Sequence, residues 1–99
     1  MEQYLQYIET LLTMLKTDIG IRTSTAYDAR LTQLIAAAVR FIVEEGASDL
    51  DASDPLDQQL IVMYAAWLWR KRDDMPGMPR MLRLALNNRV FGMVGGSDG

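Results

Sequence analysis

Apolar residues recur at the spacing of an α-helix along the first half of the chain. They predict one helix over residues 4–16 and a second over residues 25–45. Gly20 and Gly46 follow these segments, and each can end a helix in a conformation that other residues rarely adopt. The predicted inward faces are Tyr4, Leu5, Ile8, Leu11, Leu12 and Leu15 in the first helix, and Tyr27, Leu31, Leu34, Ile35, Ala38, Phe41 and Ile42 in the second.

The third apolar segment, Leu60–Trp69, contains ten residues and no charge. It predicts a helix over residues 55–72 that is apolar on every side and must therefore be covered on every side. This helix is shorter than the roughly 20 apolar residues that cross a bilayer. Trp67 and Trp69 are separated by about 200° around its axis, so they face nearly opposite directions.

Two helix starts carry recognisable signals in the sequence. Thr25 and Asp28 resemble a capping box, with aspartate in the position usually held by glutamate. Asp54 precedes Pro55, so its carboxylate can accept a hydrogen bond from the first turn while proline leaves no N–H unpaired. These signals predict that the second helix begins near Thr25 and the third at Pro55.

The C-terminal part of the chain predicts a shorter fourth helix over residues 79–88, with Leu82, Ala85 and Leu86 inward. Residues 73–79 contain two prolines and a glycine and predict a turn. Residues 90–94 are candidates for an extended segment, and the last five residues for disorder. The predicted fold is therefore all-α, a small bundle of about four helices with a flexible or extended C-terminal tail. One helical domain is expected over residues 1–90 and a flexible tail over residues 91–99.

Charge is distributed unevenly along the 99 residues. Residues 1–59 carry four Lys/Arg and ten Asp/Glu, a net −6, whereas residues 60–99 carry six Lys/Arg and three Asp/Glu, a net +3. Ordinary solvated surface accounts for this asymmetry, but an acidic and a basic side also suit association of copies or of charged partners. The absence of cysteine and of an N-terminal signal-peptide pattern predicts an intracellular protein without disulfides.

Catalytic and metal-binding signatures are weak. The chain contains no His and no Cys, which excludes Ser–His and Cys–His nucleophile pairs and the usual zinc sites. Asp49, Asp51 and Ser53 suggest a calcium loop, but the sixth and twelfth positions hold Asp54 and Leu60 where an EF-hand requires Gly and Glu. The glycines form no phosphate-binding loop. We therefore expect no enzymatic activity, no cofactor and no bound metal.

A nucleic-acid interpretation rests on basic residues near the end of the third helix and along the fourth. A helix-turn-helix requires a turn of three to four residues, whereas the predicted gaps here are about nine and about six residues. Sequence-specific DNA recognition is therefore disfavoured, and non-specific contact with a DNA backbone stays open. The residues concerned are Arg70, Lys71, Arg72, Arg80, Arg83 and Arg89.

One arrangement of helices and stops resembles a known family. Residues 14–21 (MLKTDIGI), a polar loop and residues 27–38 (YDARLTQLIAAA) are similar to the opening of the phage head–tail connector family. That family's next element is a long apolar helix with aromatic residues and a charged end, which Leu60–Arg72 matches. The resemblance covers about residues 11–90. The helical segment before Leu11 and the run of aspartates in residues 46–54 depart from the family pattern.

The resemblance implies a structural function in the virion. Members of that family are mostly helical and form rings, by implication of twelve copies, beneath the portal protein. Such a ring extends the channel for double-stranded DNA and docks the tail or a stopper protein, without catalysis or membrane contact. The implied location is the head–tail junction of a phage or prophage product made in the bacterial cytoplasm. The alternative is a small helical homo-oligomeric interaction or assembly-factor module.

Candidate contact residues follow from combining the residues with this resemblance. We expect one of the two tryptophans to pack in the core and the other to contact a neighbouring subunit. The subunit-interface candidates are Tyr64, Trp67, Trp69, Arg70 and Arg72. The candidates for contact with the portal or tail are Arg89, Val90, Phe91, Met93 and Val94, which are expected to add an extended strand to a neighbour. The candidates for the DNA channel or for charge pairing are Arg80 and Arg83.

Overall fold

The computed structural model of the protein describes residues 3–71 and 77–95, with side chains up to residue 92. Every regular element in these ranges is helical, which confirms the all-α bundle of four helices. A 3-10 helix (Gln3–Tyr7) leads into α1 (Ile8–Ile19), α2 (Asp28–Glu45), α3 (Pro55–Arg70) and α4 (Arg80–Gly95).

Three helix ends follow local signals in the sequence. Gly20 ends α1 with a φ of 84°, and Gly46 ends α2 with a φ of 132°. Both angles lie in the region that glycine adopts without a side-chain penalty. Asp54 caps α3, where its carboxylate accepts a hydrogen bond from the backbone N–H of Leu56 at 3.1 Å. The predictions for these three positions are confirmed.

The capping box predicted at Thr25 and Asp28 is wrong. The cap position of α2 is Tyr27, and its side chain makes no capping hydrogen bond. The carboxylate of Asp28 lies 2.9 Å from the ammonium group of Lys16, a side chain that is almost completely buried. A buried cation requires a partner, so Asp28 forms an ion pair between α1 and α2 instead of capping its own helix.

The predicted end of the fourth helix near Asn88 is too early. The backbone stays helical to Gly95, so the extended segment predicted for residues 90–94 is wrong. Val90 is half-buried against the end of α2, and the contacts of Arg89 hold the same turn in place. Tertiary packing thus overrides the weak helix propensity of this valine- and glycine-containing segment. Residues 96–99, where the rest of the predicted tail falls, lie outside the described residues.

The central position of α3 explains its apolar sequence, because α1, α2 and α4 all pack on it. Coverage is nevertheless incomplete, since Met63, Trp67 and Trp69 are half-buried and Leu56 is 78% exposed. Three residues predicted to face inward also reach the surface, namely Leu5, Tyr27 and Phe41. The largest fully buried apolar side chains are Leu11 and Leu15 of α1, Leu31, Ile35, Val39 and Ile42 of α2, Ile61 of α3 and Leu86 of α4.

Candidate assembly surface

The side of α3 that the bundle leaves uncovered forms a continuous depression between α1 and α4. Three pockets of about 310, 470 and 260 Å³ follow it, and neighbouring pockets share lining residues. Gln59 lines the first and second pockets, and Met63 lines the second and third. We call this depression the trough. Its floor is Gln59, Met63 and Ala66 of α3, and its walls carry Met14 and Asp18 of α1 and Met81 and Ala85 of α4.

Beside the trough, α4 presents large apolar side chains to solvent. Met81 is 71% exposed, Leu84 45% and Phe91 67%. At about 100° per residue these three positions fall within about 80° of one another, so they form one stripe, which we call the outer ridge. The buried residues Leu82 and Leu86 lie about 160° from its centre. Helix α4 therefore has two apolar faces, of which the bundle covers one.

An ion-pair cluster, the polar clamp, holds α4 to the rest of the bundle. Arg89 donates to both carboxylate oxygens of Asp57, from Nε at 2.8 Å and from a terminal nitrogen at 3.1 Å. Its other terminal nitrogen lies 3.0 Å from the carboxylate of Asp49. The Asp57 side chain is 2% exposed and that of Arg89 22%. This two-pronged geometry fits the planar guanidinium, and the hydrogen bonds to Asp57 raise the pKa of Arg89 further above its usual value.

The clamp continues into the loop between α2 and α3. Asp57 also accepts a hydrogen bond from the backbone N–H of Asp51 at 2.9 Å. The carboxylate of Asp51 accepts in turn from the Gln3 side chain at 2.8 Å and from the backbone and hydroxyl of Ser53. These bonds favour the ionised carboxylate and lower the pKa of Asp51 to about 2. The aspartates of this loop thus serve as connections between the N-terminus, α3 and α4.

The subunit-interface candidates divide between the trough and the bundle interior. Trp67 and Arg70 line the pocket at one end of the trough. Tyr64 is buried and stacks on Phe41 at 5.9 Å between ring centroids. Burial, with the charge of Glu45, raises the pKa of Tyr64. Arg72 lies outside the described residues.

Trp67 and Trp69 have different neighbours, in keeping with their opposed directions. The Trp67 ring meets the edge of Tyr64 at 5.6 Å, and the ammonium of Lys71 lies 4.9 Å from its centre. Its indole N–H is buried without a hydrogen-bond partner in the described part of the chain. Trp69 packs edge-on against Tyr27 at 5.3 Å. Of the two, Trp67 is the one that lines a pocket of the trough.

The remaining candidates on α4 also occupy distinct environments. Arg80 is exposed, and Arg83 lies 3.5 Å from the carboxylate of Glu45, which pairs α4 with the end of α2. Arg89, a predicted portal or tail contact, has its guanidinium engaged within the chain. Phe91 is free to contact another molecule, being 67% exposed. The side chains of Met93 and Val94 lie outside those described.

Two features of this region, the polar clamp and the outer ridge, were not predicted from the sequence. Asp57 reads as an ordinary acidic residue in a first helical turn, and its partner Arg89 is 32 positions away. No local pattern connects them. The outer ridge was detectable, because Met81, Leu84 and Phe91 recur at helical spacing on the side of α4 opposite Leu82 and Leu86. The expectation of an extended segment after Asn88 concealed it.

The described residues offer apolar contact surfaces. Within residues 3–71 and 77–95, no group of three or more Asp or Glu side chains is placed to hold a metal ion. None of the described helices is long and apolar enough to cross a membrane. Comparison of the chain with protein-family models, with curated proteins and with solved structures finds no match.

Proposed function

We propose that this protein is a structural head–tail connector of a long-tailed phage or prophage. In this proposal, copies assemble as a ring beneath the portal, extend the DNA channel and dock the tail or a stopper protein. The observation that carries the proposal is the trough with its neighbouring outer ridge, an apolar surface larger than single exposed side chains explain. Such surfaces on small helical domains are typical of proteins that act by assembly.

Two further observations support this function. The order of elements in the resemblance, a first helix stopped at Gly20, a polar loop and a second helix ending at Gly46, is present in the fold. The aromatic helix α3 lies at the centre, and Trp67 and Arg70 border the trough where a neighbouring subunit can reach them. Arg80, exposed at the start of α4, is the candidate either for contact with DNA in the channel or for charge pairing with a neighbouring copy.

The direct test removes the gene from the phage or prophage that carries it. We expect DNA-filled heads and complete tails to accumulate unjoined, and purified protein added to the mixture to restore joined particles. Infectious, fully joined particles in the absence of the gene contradict the proposal. Portal and capsid genes upstream and tail genes downstream provide an independent check.

A point variant on the outer ridge tests the docking role better than truncation does. Removing the residues after Asn88 deletes Arg89 and so breaks the polar clamp, which confuses loss of docking with loss of folding. Phe91→Asp changes an exposed side chain and leaves the clamp intact. We expect this variant to keep its melting temperature, to form rings when portal rings are supplied and to fail in joining heads to tails; failure to form rings assigns Phe91 to the contact between copies instead. Full joining by Phe91→Asp excludes this residue from portal or tail contact.

The same surface favours a second candidate, a helical homo-oligomeric interaction or assembly-factor module. The two functions predict different particles in solution and in the presence of a portal protein. A connector forms rings visible by negative-stain electron microscopy once portal rings are supplied. A module of the second kind keeps a small, fixed number of subunits whether or not a portal is present.

A further inference from the structure

We propose that the trough is occupied by α4 of a second copy of this chain, with the outer ridge of that copy facing its floor. This inference deepens the proposed function, since it names the surface through which copies join. Its test involves neither portal nor tail. Size, chemistry and charge each support a second copy as the occupant.

The dimensions of the trough match a helix of the length of α4. The stretch of α3 from Leu56 to Arg70 borders it, and at 1.5 Å per residue this stretch is about 21 Å long. Helix α4 contains 16 residues and, counted in the same way, is about 23 Å long. A groove open along its length between two helical walls receives a helix through anchors at spacings of three, four and seven residues.

The chemistry of the lining suits the side chains of the outer ridge. Met14, Met63 and Met81 contribute flexible, unbranched side chains to the walls and floor. Methionine adapts its shape to irregular apolar partners, so these surfaces accommodate the mixed Met, Leu and Phe profile of the ridge. Every copy carries both the ridge and the trough, which is the condition for contact between identical chains.

Charge complementarity selects α4 of a second copy. Glu9 and Asp18, the two charged residues of α1 that reach solvent, are both acidic, whereas Lys16 is buried against Asp28. Asp18 lies 3.7 Å from Arg70 of its own chain, so Glu9 is the acidic residue of α1 offered to a second copy. Between Arg80 and Gly95, α4 carries three arginines and no acidic residue. A second α4 lying beside α1 therefore brings opposite charges together, with exposed Arg80 available for Glu9.

The test is sedimentation equilibrium of the purified full chain from micromolar to millimolar concentration. We expect the wild type to self-associate and Leu84→Glu to weaken the association constant by about tenfold or more, because a charge then enters an apolar contact. Leu5→Glu is the matched control. It changes the same residue type at similar exposure, 53% against 45%, outside the trough, and we expect less than about a twofold effect.

Charge exchange provides a second, specific measurement. Arg80→Glu and Glu9→Arg should each weaken association, and an equimolar mixture of the two variants should associate more strongly than either alone. Circular dichroism confirms that each variant is folded. Phe91→Glu replaces Leu84→Glu if the latter lowers helicity, because Phe91 is 67% exposed and, unlike Met81, does not line the trough.

Two results overturn the inference. The first is a wild-type chain that stays monomeric at millimolar concentration. The second is an association that Leu84→Glu and Leu5→Glu alter equally, which means that copies join through another surface. In that second case the connector proposal stands without this interface. If heads and tails join without the gene but association of the purified chain still depends on the ridge, the connector proposal is wrong and the inference stands.

Discussion

Helices α2 and α4 both flank the central helix α3, yet different interactions hold them in place. Six residues of α2 are buried, and apart from Phe41 its large apolar side chains are directed into the bundle. Helix α4 buries Leu82 and Leu86, exposes larger apolar side chains on its other face, and is fixed by an arginine. The comparison indicates that α2 is an internal wall of the monomer. Helix α4 is an attached element with a second face for another molecule.

The largest expected difference between the two helices is in side-chain truncation. Ile35 of α2 is completely buried, so Ile35→Ala should lower the free energy of unfolding by about 3 kcal/mol through lost burial and a residual cavity. Met81→Ala on the outer ridge should change it by about 0.5 kcal/mol or less, because this side chain already contacts solvent. Urea denaturation of both variants at concentrations where the chain is monomeric measures the contrast. Equal losses mean that the ridge is part of the monomer core.

The polar clamp predicts an effect of similar size. Asp57→Ala leaves the guanidinium of Arg89 without its principal partner in a largely buried site and should cost about 3 kcal/mol. Arg83→Ala breaks a half-exposed pair with Glu45 and should cost about 0.5 kcal/mol or less. The double variant Asp57→Leu/Arg89→Met should recover much of the loss, since no buried charge is left alone. If the clamp does not hold α4 in place, Asp57→Ala and Arg83→Ala will have similar denaturation midpoints.

The junction between α2 and α4 predicts an intermediate effect at Gly46. A Cβ atom there lies 2.9 Å from a Val90 methyl carbon, and the φ of 132° disfavours other residues. Gly46→Ala should therefore cost about 2 kcal/mol. Gly20→Ala has open space around its Cβ and should cost about 1 kcal/mol for the left-handed conformation alone. In a Val90→Ala background the clash is relieved, so the loss of stability caused by Gly46→Ala should approach that caused by Gly20→Ala. Thermal unfolding measures both losses. An unchanged difference between them rules out the clash as its cause.

The smallest expected effect is the dependence of folding stability on acidic pH that arises from Asp51. Hydrogen bonds from Gln3 and Ser53 lower the pKa of this carboxyl from 3.8 to about 2. The folded state therefore binds this proton less readily than the unfolded state. The stabilisation is fully present above 3.8 and is lost as the pH falls toward 2. Asp51→Asn should therefore lower stability near neutrality and flatten its dependence on pH between 3.8 and 2, so that the two proteins converge in acid. An unaltered pH dependence in that interval shows that these hydrogen bonds do not favour the charged form.

Local chemistry made part of this fold predictable from sequence. Gly20, Gly46 and Asp54 act within a few residues of the helix ends that they determine, so single-chain patterns reveal them. The predictions that were wrong concern side chains whose partners are distant in the sequence. Thr25 and Asp28 resembled a cap, but the buried ammonium of Lys16 required the carboxylate of Asp28. The helical turn after Asn88 depends on Val90 and Arg89 meeting other elements, which no local propensity encodes.

The candidate surface was predictable to a similar, limited extent. The opposed directions of Trp67 and Trp69 follow from helix geometry, and the structure directs them toward different neighbours. Which of them borders an open groove depends on where α1 and α4 pack against α3. The pairing of Asp57 with Arg89 joins residues 32 positions apart. Such contacts arise from the tertiary fold and have no separate sequence signal.

Site-specific disulfide formation tests most directly whether the outer ridge lies in the trough of a second copy. The chain contains no cysteine, so single replacements at exposed positions report one contact at a time. In an equimolar mixture of Leu84→Cys and Gln59→Cys chains, the account predicts a mixed disulfide that forms faster than one between Leu5→Cys and Gln59→Cys chains. Equal rates for the two mixtures contradict the account, because the outer ridge then has no preference for the floor of the trough.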